Sequence, residues 1–407
     1  MSGTDAETDP KKLGWMQGSP PPADKLIRFA DGSHFRYPQL RWTVSHMGEL
    51  APTKIISRGS TPVASLPRND RPDLESVRFN PIGSNQSMSW EDALAANYTD
   101  GIVVLHKGRI VYERYKGVLQ AHTSHMAFSV TKSFIGLMAQ TLVHEGILDE
   151  HALVSHYVPE LKSSAFGDAT VRQVQDMLTG LQYSEIYTDP QAEIWNHGRA
   201  GGLLPRPHGY AGPQSFYAFL QTVKKLGQHG EGFMYKTINT DTLGWVLRRV
   251  TGQSLIDLLS ERLWSRLGCE QDATILVDSE GTEFAGAGLN TCLRDLARFG
   301  EMMRNRGWAC GQEIVPTAVV EDIQRGASPE KFIMGGYVTL PGWSYRTCGG
   351  CHTTRMAHTW RVASMVRRST LIPRPKWSSH ATHRTTLRAI WVSTRNPCRH
   401  TMRWRNS

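Results

Sequence analysis

At Ser129 the pattern of this chain switches from strand to helix, and that switch limits the available folds more than any other feature. Before it, GIVVLHKGRIVYERY at 101–115 sets β-branched runs on both sides of Lys107-Gly108, the pattern of a hairpin. After it, Phe134, Leu137, Met138, Thr141 and Leu142 recur at helical spacing until Gly146 marks a stop. Further helical patterns cover roughly 171–178, 216–225, 242–250, 255–267 and 294–304, interrupted by Gly-rich loops such as 197–202. FIMGGYVTL at 332–340 reads as a return to strand. Hairpin, helical block and strand together predict a mixed α/β (α+β) fold whose antiparallel sheet is built from both ends of the chain.

Ser129 and Lys132 carry the first chemical signal. In Phe128-Ser129-Val130-Thr131-Lys132 an S-x-x-K opens the apolar helix, and positions three apart share a helical face, so hydroxyl and amine can reach hydrogen-bonding distance. A serine near its free pKa attacks poorly, whereas a lysine between apolar walls loses its charge readily and can take the hydroxyl proton. The same letters also fit a plain amphipathic helix with a serine cap and a snorkelling lysine. The flanking sequence decides.

FSVTKSFIGLMAQTLVHEGILDEHALVSHYVPEL at 128–161 resembles the nucleophile helix and following turn of the serine β-lactamase and penicillin-binding protein superfamily, especially its class C-like esterases and amidases. GEGFMYKTINTDTLGW at 230–245, with Val250-Thr251-Gly252, looks like the family's tyrosine motif and the helix after it. The likeness is strongest to the nylon-oligomer hydrolase branch and covers roughly residues 40–347. It implies a serine β-lactamase-like antiparallel sheet flanked by helices, a helical subdomain, and an active site between them. It also implies Ser129 as acylated nucleophile, Lys132 as its base and Tyr235 as the phenol that relays a proton to the leaving group. Lys132 and Lys236 would then supply the ammonium that stabilises the phenol's anion. The broad family reads Tyr-x-Asn; here three residues separate Tyr235 from Asn239, as in the nylon-oligomer branch, and Asn239 is carried over as a substrate-binding amide. Tyr187 corresponds to a loop tyrosine that contacts substrate in that branch. The implied chemistry is acyl transfer to water through a Ser129 ester, on small esters or linear amides more than on β-lactams, with no cofactor and no metal.

Charge divides the chain. The net charge of +9 hides a break: residues 348–407 hold 12 Lys and Arg and no Asp or Glu, so residues 1–347 hold 34 basic against all 37 acidic side chains. Three parts follow: a Pro-, Gly- and Ser-rich segment at 1–90 that wraps over a domain, a hydrolase domain at 91–347, and a basic tail at 348–407. The tail begins where the family pattern stops, and the late strand with a Lys-Thr-Gly or His-x-Gly-like triplet is missing. A backbone N–H beside that triplet completes the oxyanion hole, and losing one such donor costs roughly 3–4 kcal/mol of transition-state stabilisation. Read one base early, Met356-Ala357 and Met365-Val366 both force glycine, and Ser364 to Arg367 can spell His-Gly-Gln. A shifted frame is therefore expected, with the last strands missing or garbled and the exposed edges prone to aggregation.

Other signals lose weight accordingly. Cys348-Gly-Gly-Cys351-His352 matches a haem attachment motif, and Cys348, Cys351, His380 and His383 suit zinc by type, but the spacing is loose. His144, Glu145 and His197 read as surface or loop residues. No apolar run approaches the roughly 18 residues of a membrane span, and the first residues are polar and acidic. The expectation is a cytoplasmic protein with free thiols, a small ester or amide as partner, no membrane and no specific nucleic acid; a homodimer is left open. The competing reading is a catalytically inactive, frameshifted homologue whose basic tail binds polyanions non-specifically.

Overall fold

The computed structural model describes residues 4–81, 84–337, 340, 342–352 and 390–393. In chain order, its site-forming strands are β1 (Thr53–Ile56), β2 (Gly101–His106), β3 (Arg109–Tyr115), β4 (His125–Met126), β5 (Ala273–Leu276), β6 (Leu289–Thr291), β7 (Trp343–Arg346), β8 (Gly349–His352) and β9 (Ile390–Ser393). The helices around them include α1 (Thr131–His144), α2 (Glu193–Ala200), α3 (Phe216–Thr222), α4 (Ile238–Thr251), α5 (Leu255–Arg262), α6 (Leu293–Arg304), α7 (Thr317–Arg325) and α8 (Pro329–Met334).

The expected hairpin is β2–β3, and it turns on Lys107 and Gly108 at φ 51° and 76°. Two successive left-handed residues give the turn whose twist matches that of paired strands. A second, antiparallel sheet runs β1-β5-β6-β4. Against these strands packs α1, buried from Thr131 through Leu142. Phe134 on α1 stacks on Phe299 of α6 with ring centroids 3.9 Å apart, and truncating a buried phenylalanine of this kind costs about 3–5 kcal/mol.

The hairpin β7–β8 locks onto the same helix. Its two-residue turn, Thr347 and Cys348, lies at φ 49° and 57°, a conformation that favours glycine or asparagine. The turn is held by hydrogen bonds from the Thr347 N–H to Asp176 Oδ1 and from the Cys348 N–H to the Gln175 carbonyl, both 2.9 Å. It meets α1 at Gly136, where a Cβ would lie 2.3 Å from the Thr347 carbonyl oxygen. Packed structure thus continues past the charge boundary at 347.

Several expectations need correcting. The expected strand at 332–340 begins as α8, because the Ser328 hydroxyl caps the Lys331 N–H at 3.1 Å and Pro329 is pre-set for a first helical turn; the strand starts only at Trp343. The expected loop at 197–202 begins as the last turn of α2, and its glycines serve close packing: a Cβ on Gly201 would sit 1.9 Å from the Phe216 ring. The first ninety residues also do more than wrap. They supply β1, which pairs with β5, and Arg41, which is 2% exposed and pairs with Asp100 at 2.8 Å and Asp5 at 2.9 Å. Beside β2 lies β9, which runs parallel to it with Ile390 opposite Val103.

His380, His383 and the stretch 356–373 that would spell the missing triplet lie outside the described residues. Among the described residues no group of three His, Cys, Asp or Glu could hold a metal ion, and no helix is long and apolar enough to cross a membrane. Cys269, Cys292, Cys310 and Cys348 are free thiols.

Candidate active site

Ser129 sits in a 3-10 turn, Phe128–Val130, that feeds into α1. Phe128 takes φ 47°, a left-handed conformation that costs an aromatic residue about 1–3 kcal/mol. Its surroundings hold it there. The Thr131 hydroxyl donates to the Phe128 carbonyl at 2.6 Å and accepts the Leu289 N–H at 3.0 Å, while the Ala127 N–H donates to the Leu289 carbonyl at 2.7 Å. Strand β6 and the first turn of α1 together present the half-buried Ser129 hydroxyl.

Lys132 is 1% exposed, and its Nζ lies 2.9 Å from Ser129 Oγ, 3.2 Å from Thr237 Oγ1 and 2.6 Å from the Gly286 carbonyl. An ammonium here donates to all three. A free amine donates to Gly286 and Thr237 and accepts the Ser129 O–H, which is the arrangement needed to withdraw that proton. Burial lowers the Lys132 pKa, opposed first by the Glu185 carboxyl and then by that of Asp241.

Tyr235 joins this pair. The Lys132 Nζ stands 5.0 Å from its ring centroid, and the phenol shares a hydrogen bond with Ser129. Backbone hydrogen bonds from Phe233 to Lys331 of α8 at 2.9 Å and from Met234 to Met177 at 3.0 Å fix the segment, and Tyr345 of β7 packs edge-on to the ring at 6.2 Å. Burial raises the Tyr235 pKa, with Glu185 adding to it. Of the two lysines expected to help, Lys132 stands at the ring face, whereas Lys236 is engaged elsewhere. Lys236 donates to the Leu181 carbonyl, and its own pKa is lowered by burial to about 8. Tyr235 is therefore held as a neutral phenol.

Asn239 is fully buried in α4; its Oδ1 accepts the Thr179 hydroxyl at 2.7 Å, and its Nδ2 donates to the Lys236 carbonyl at 3.2 Å. Both ends of the amide are thus engaged within the protein. Tyr187 is 42% exposed, packs edge-on to Trp195 and hydrogen-bonds Glu185 at 3.4 Å.

Four site residues escaped the sequence pattern. Thr237 stands two positions after Tyr235, where the broad family pattern places its Asn, and counting from the tyrosine finds it. Glu185 accepts the Thr237 N–H and hydroxyl, and its carboxyl pKa is raised by burial against the opposing effect of Lys132. It lies two residues before Tyr187. Gly286 gave no signal: a Cβ there would fall 2.4 Å from Thr237 Cγ2, so it is glycine for want of space. Asp241 accepts the Gly286 N–H at 2.8 Å. Next to it is His197, expected as a surface or loop residue but only 1% exposed, because Phe216 and Phe219 of α3 and Phe284 close around its ring.

Comparison with known proteins covers the same stretch. The β-lactamase family model matches residues 91–350. A 6-aminohexanoate-dimer hydrolase from Paenarthrobacter ureafaciens is 36% identical over 316 residues, 76% of each chain. Protein flp of Staphylococcus aureus is 29% identical over 38% of this chain and 29% of its own. A solved Bacillus anthracis structure, provisionally named 6-aminohexanoate-dimer hydrolase, superposes with a TM-score of 0.75 and 30% identity, covering 84% of this chain and 87% of that one. With a family model, a relative over three quarters of its length and a solved fold in agreement, this chain belongs to the β-lactamase family of hydrolases.

Proposed function

We propose that the chain is a serine hydrolase that cleaves small esters or linear amides through an acyl-enzyme on Ser129. The observation that carries this reading is the 2.9 Å contact between the Ser129 hydroxyl and a buried lysine whose charged form is disfavoured. Ser129 Oγ bonds to the carbonyl carbon while its proton passes to Lys132 Nζ. The tetrahedral intermediate then collapses, the bond to the leaving oxygen or nitrogen breaks, and the neutral Tyr235 phenol donates its proton to the departing group as it regains one from Lys132. Water, deprotonated along the same route, releases the acid and restores Ser129. To Tyr187 we assign contact with substrate, a reading supported by its exposure and its position beside Glu185. The names of the relatives make 6-aminohexanoate oligomers the first amides to try.

The test is labelling by a fluorophosphonate probe and hydrolysis of a short-chain nitrophenyl ester. Ser129→Ala abolishes both, and Lys132→Ala lowers kcat more than about a thousandfold. Equal signal from the parent and Ser129→Ala rules the reading out.

A further inference from the structure

Beneath the site lies a buried acid–imidazole pair that the proposed chemistry does not use. Asp241 on α4 and His197 on α2 are 2% and 1% exposed, with Asp241 Oδ2 3.4 Å from His197 Nε2. The other carboxyl oxygen accepts the Gly286 N–H at 2.8 Å, and the Gly286 carbonyl receives Lys132 Nζ at 2.6 Å. Gly286 has no slack: a Cβ built on it would lie 2.4 Å from Thr237 Cγ2 and 3.0 Å from Asp241 Oδ2. The backbone that receives the amine is therefore wedged between the Thr237 methyl and the Asp241 carboxyl.

We propose that Asp241 is a positioning residue for the Lys132 amine, acting through Gly286, and that its charge sets the pH range over which the amine can take the Ser129 proton. The inference rests on the Ser129–Lys132 reading above. The titratable groups around Asp241 are Lys132 from α1, Glu185 from the loop before Tyr187, His197 from α2 and Asp278 after β5, together with the phenols of Tyr183 and Tyr217, which burial keeps neutral. Burial, Glu185 and Asp278 disfavour the carboxylate; Lys132 and the Gly286 N–H favour it, and the balance is a carboxyl raised to about 7. His197 is no counter-ion, because burial and then Lys132 lower it to about 3 and the ring stays neutral. The only nearby cation that a charged Asp241 can stabilise is thus the Lys132 ammonium, among the described residues. An ionised Asp241 holds the proton on Lys132, and removing that charge frees the amine at lower pH.

The experiment compares pH profiles of kcat and KM for 4-nitrophenyl acetate in the full chain, Asp241→Asn and Asp241→Ala, with thermal melts alongside. Asparagine keeps an oxygen for the Gly286 N–H and loses only the charge. It is expected to shift the acid limb of kcat/KM downward by about half a pH unit or more and to retain more kcat than alanine does. Alanine releases Gly286 and is expected to lower kcat about ten- to a hundredfold with little change in KM. An acid limb that stays put in a cooperatively melting Asp241→Asn protein, still labelled at Ser129, overturns the proposal. If Asp241→Ala does not fold, the Asp241→Asn profile alone decides. Activity that survives Ser129→Ala removes the underlying reading instead, so the two failures are distinguishable.

Discussion

Thr237 shows how closely the site is wired: its hydroxyl accepts from Lys132, and its N–H and hydroxyl both reach Glu185. The buried His197 adds a pH signature that belongs to stability rather than rate. Its folded pKa of about 3 lies below the ordinary histidine value near 6.5, so only the unfolded chain takes up that proton between those limits, and stability falls as pH drops through the window. Asp241 works the other way. Raised to about 7, it keeps its proton in the folded state, and its contribution falls as pH rises from about 4 to 7. His197→Gln removes the first effect and leaves the second, so its Tm should fall less between pH 6.5 and 4.5 than the parent's; calorimetric curves that run parallel count against this. Ser129, Lys132 and Tyr235 were legible because a helix fixes i and i+3 neighbours and the tyrosine lies inside a recognisable block. Gly286 and Asp241 were not, because only packing brings residues 154 positions apart to one amine.

At the scale of elements, α1 and the β7–β8 turn form the joint that matters most for the site. Gly136→Ala places a methyl 2.3 Å from the Thr347 carbonyl and 2.8 Å from Cys348 Cβ. Such overpacking costs about 1–3 kcal/mol, so a thermal melt should show a lowered Tm; an unchanged Tm means the turn does not rest on the helix. The β2–β3 hairpin and the long helices were readable because period and turn chemistry agree over many residues. The 332–340 stretch was misread because a short apolar run fits strand and helix equally, and the deciding signal, Ser328-Pro329, lies just upstream. The glycines at 198, 201 and 202 read as a loop, yet two of them make room for Leu204 and Phe216 beside α2.

Across the whole molecule, the first ninety residues are tied in by β1 and by the buried Arg41, while the family match ends at residue 350, within β8 and three residues past the point where acidic side chains and the family pattern were expected to stop together. We propose that the reading frame changes near this point. Resequencing codons 345–350 should reveal the shift, and an uninterrupted frame there refutes it. Four separate stretches, at 129–132, 185, 237–241 and 286, converge on one amine. Gly286 occupies the tightest place among them. Every amino-acid replacement at that position adds at least a methyl where none fits, so the seat itself is closed to drift and inherited change in the amine's surroundings falls on neighbours such as Thr237, Asp241 and Glu185.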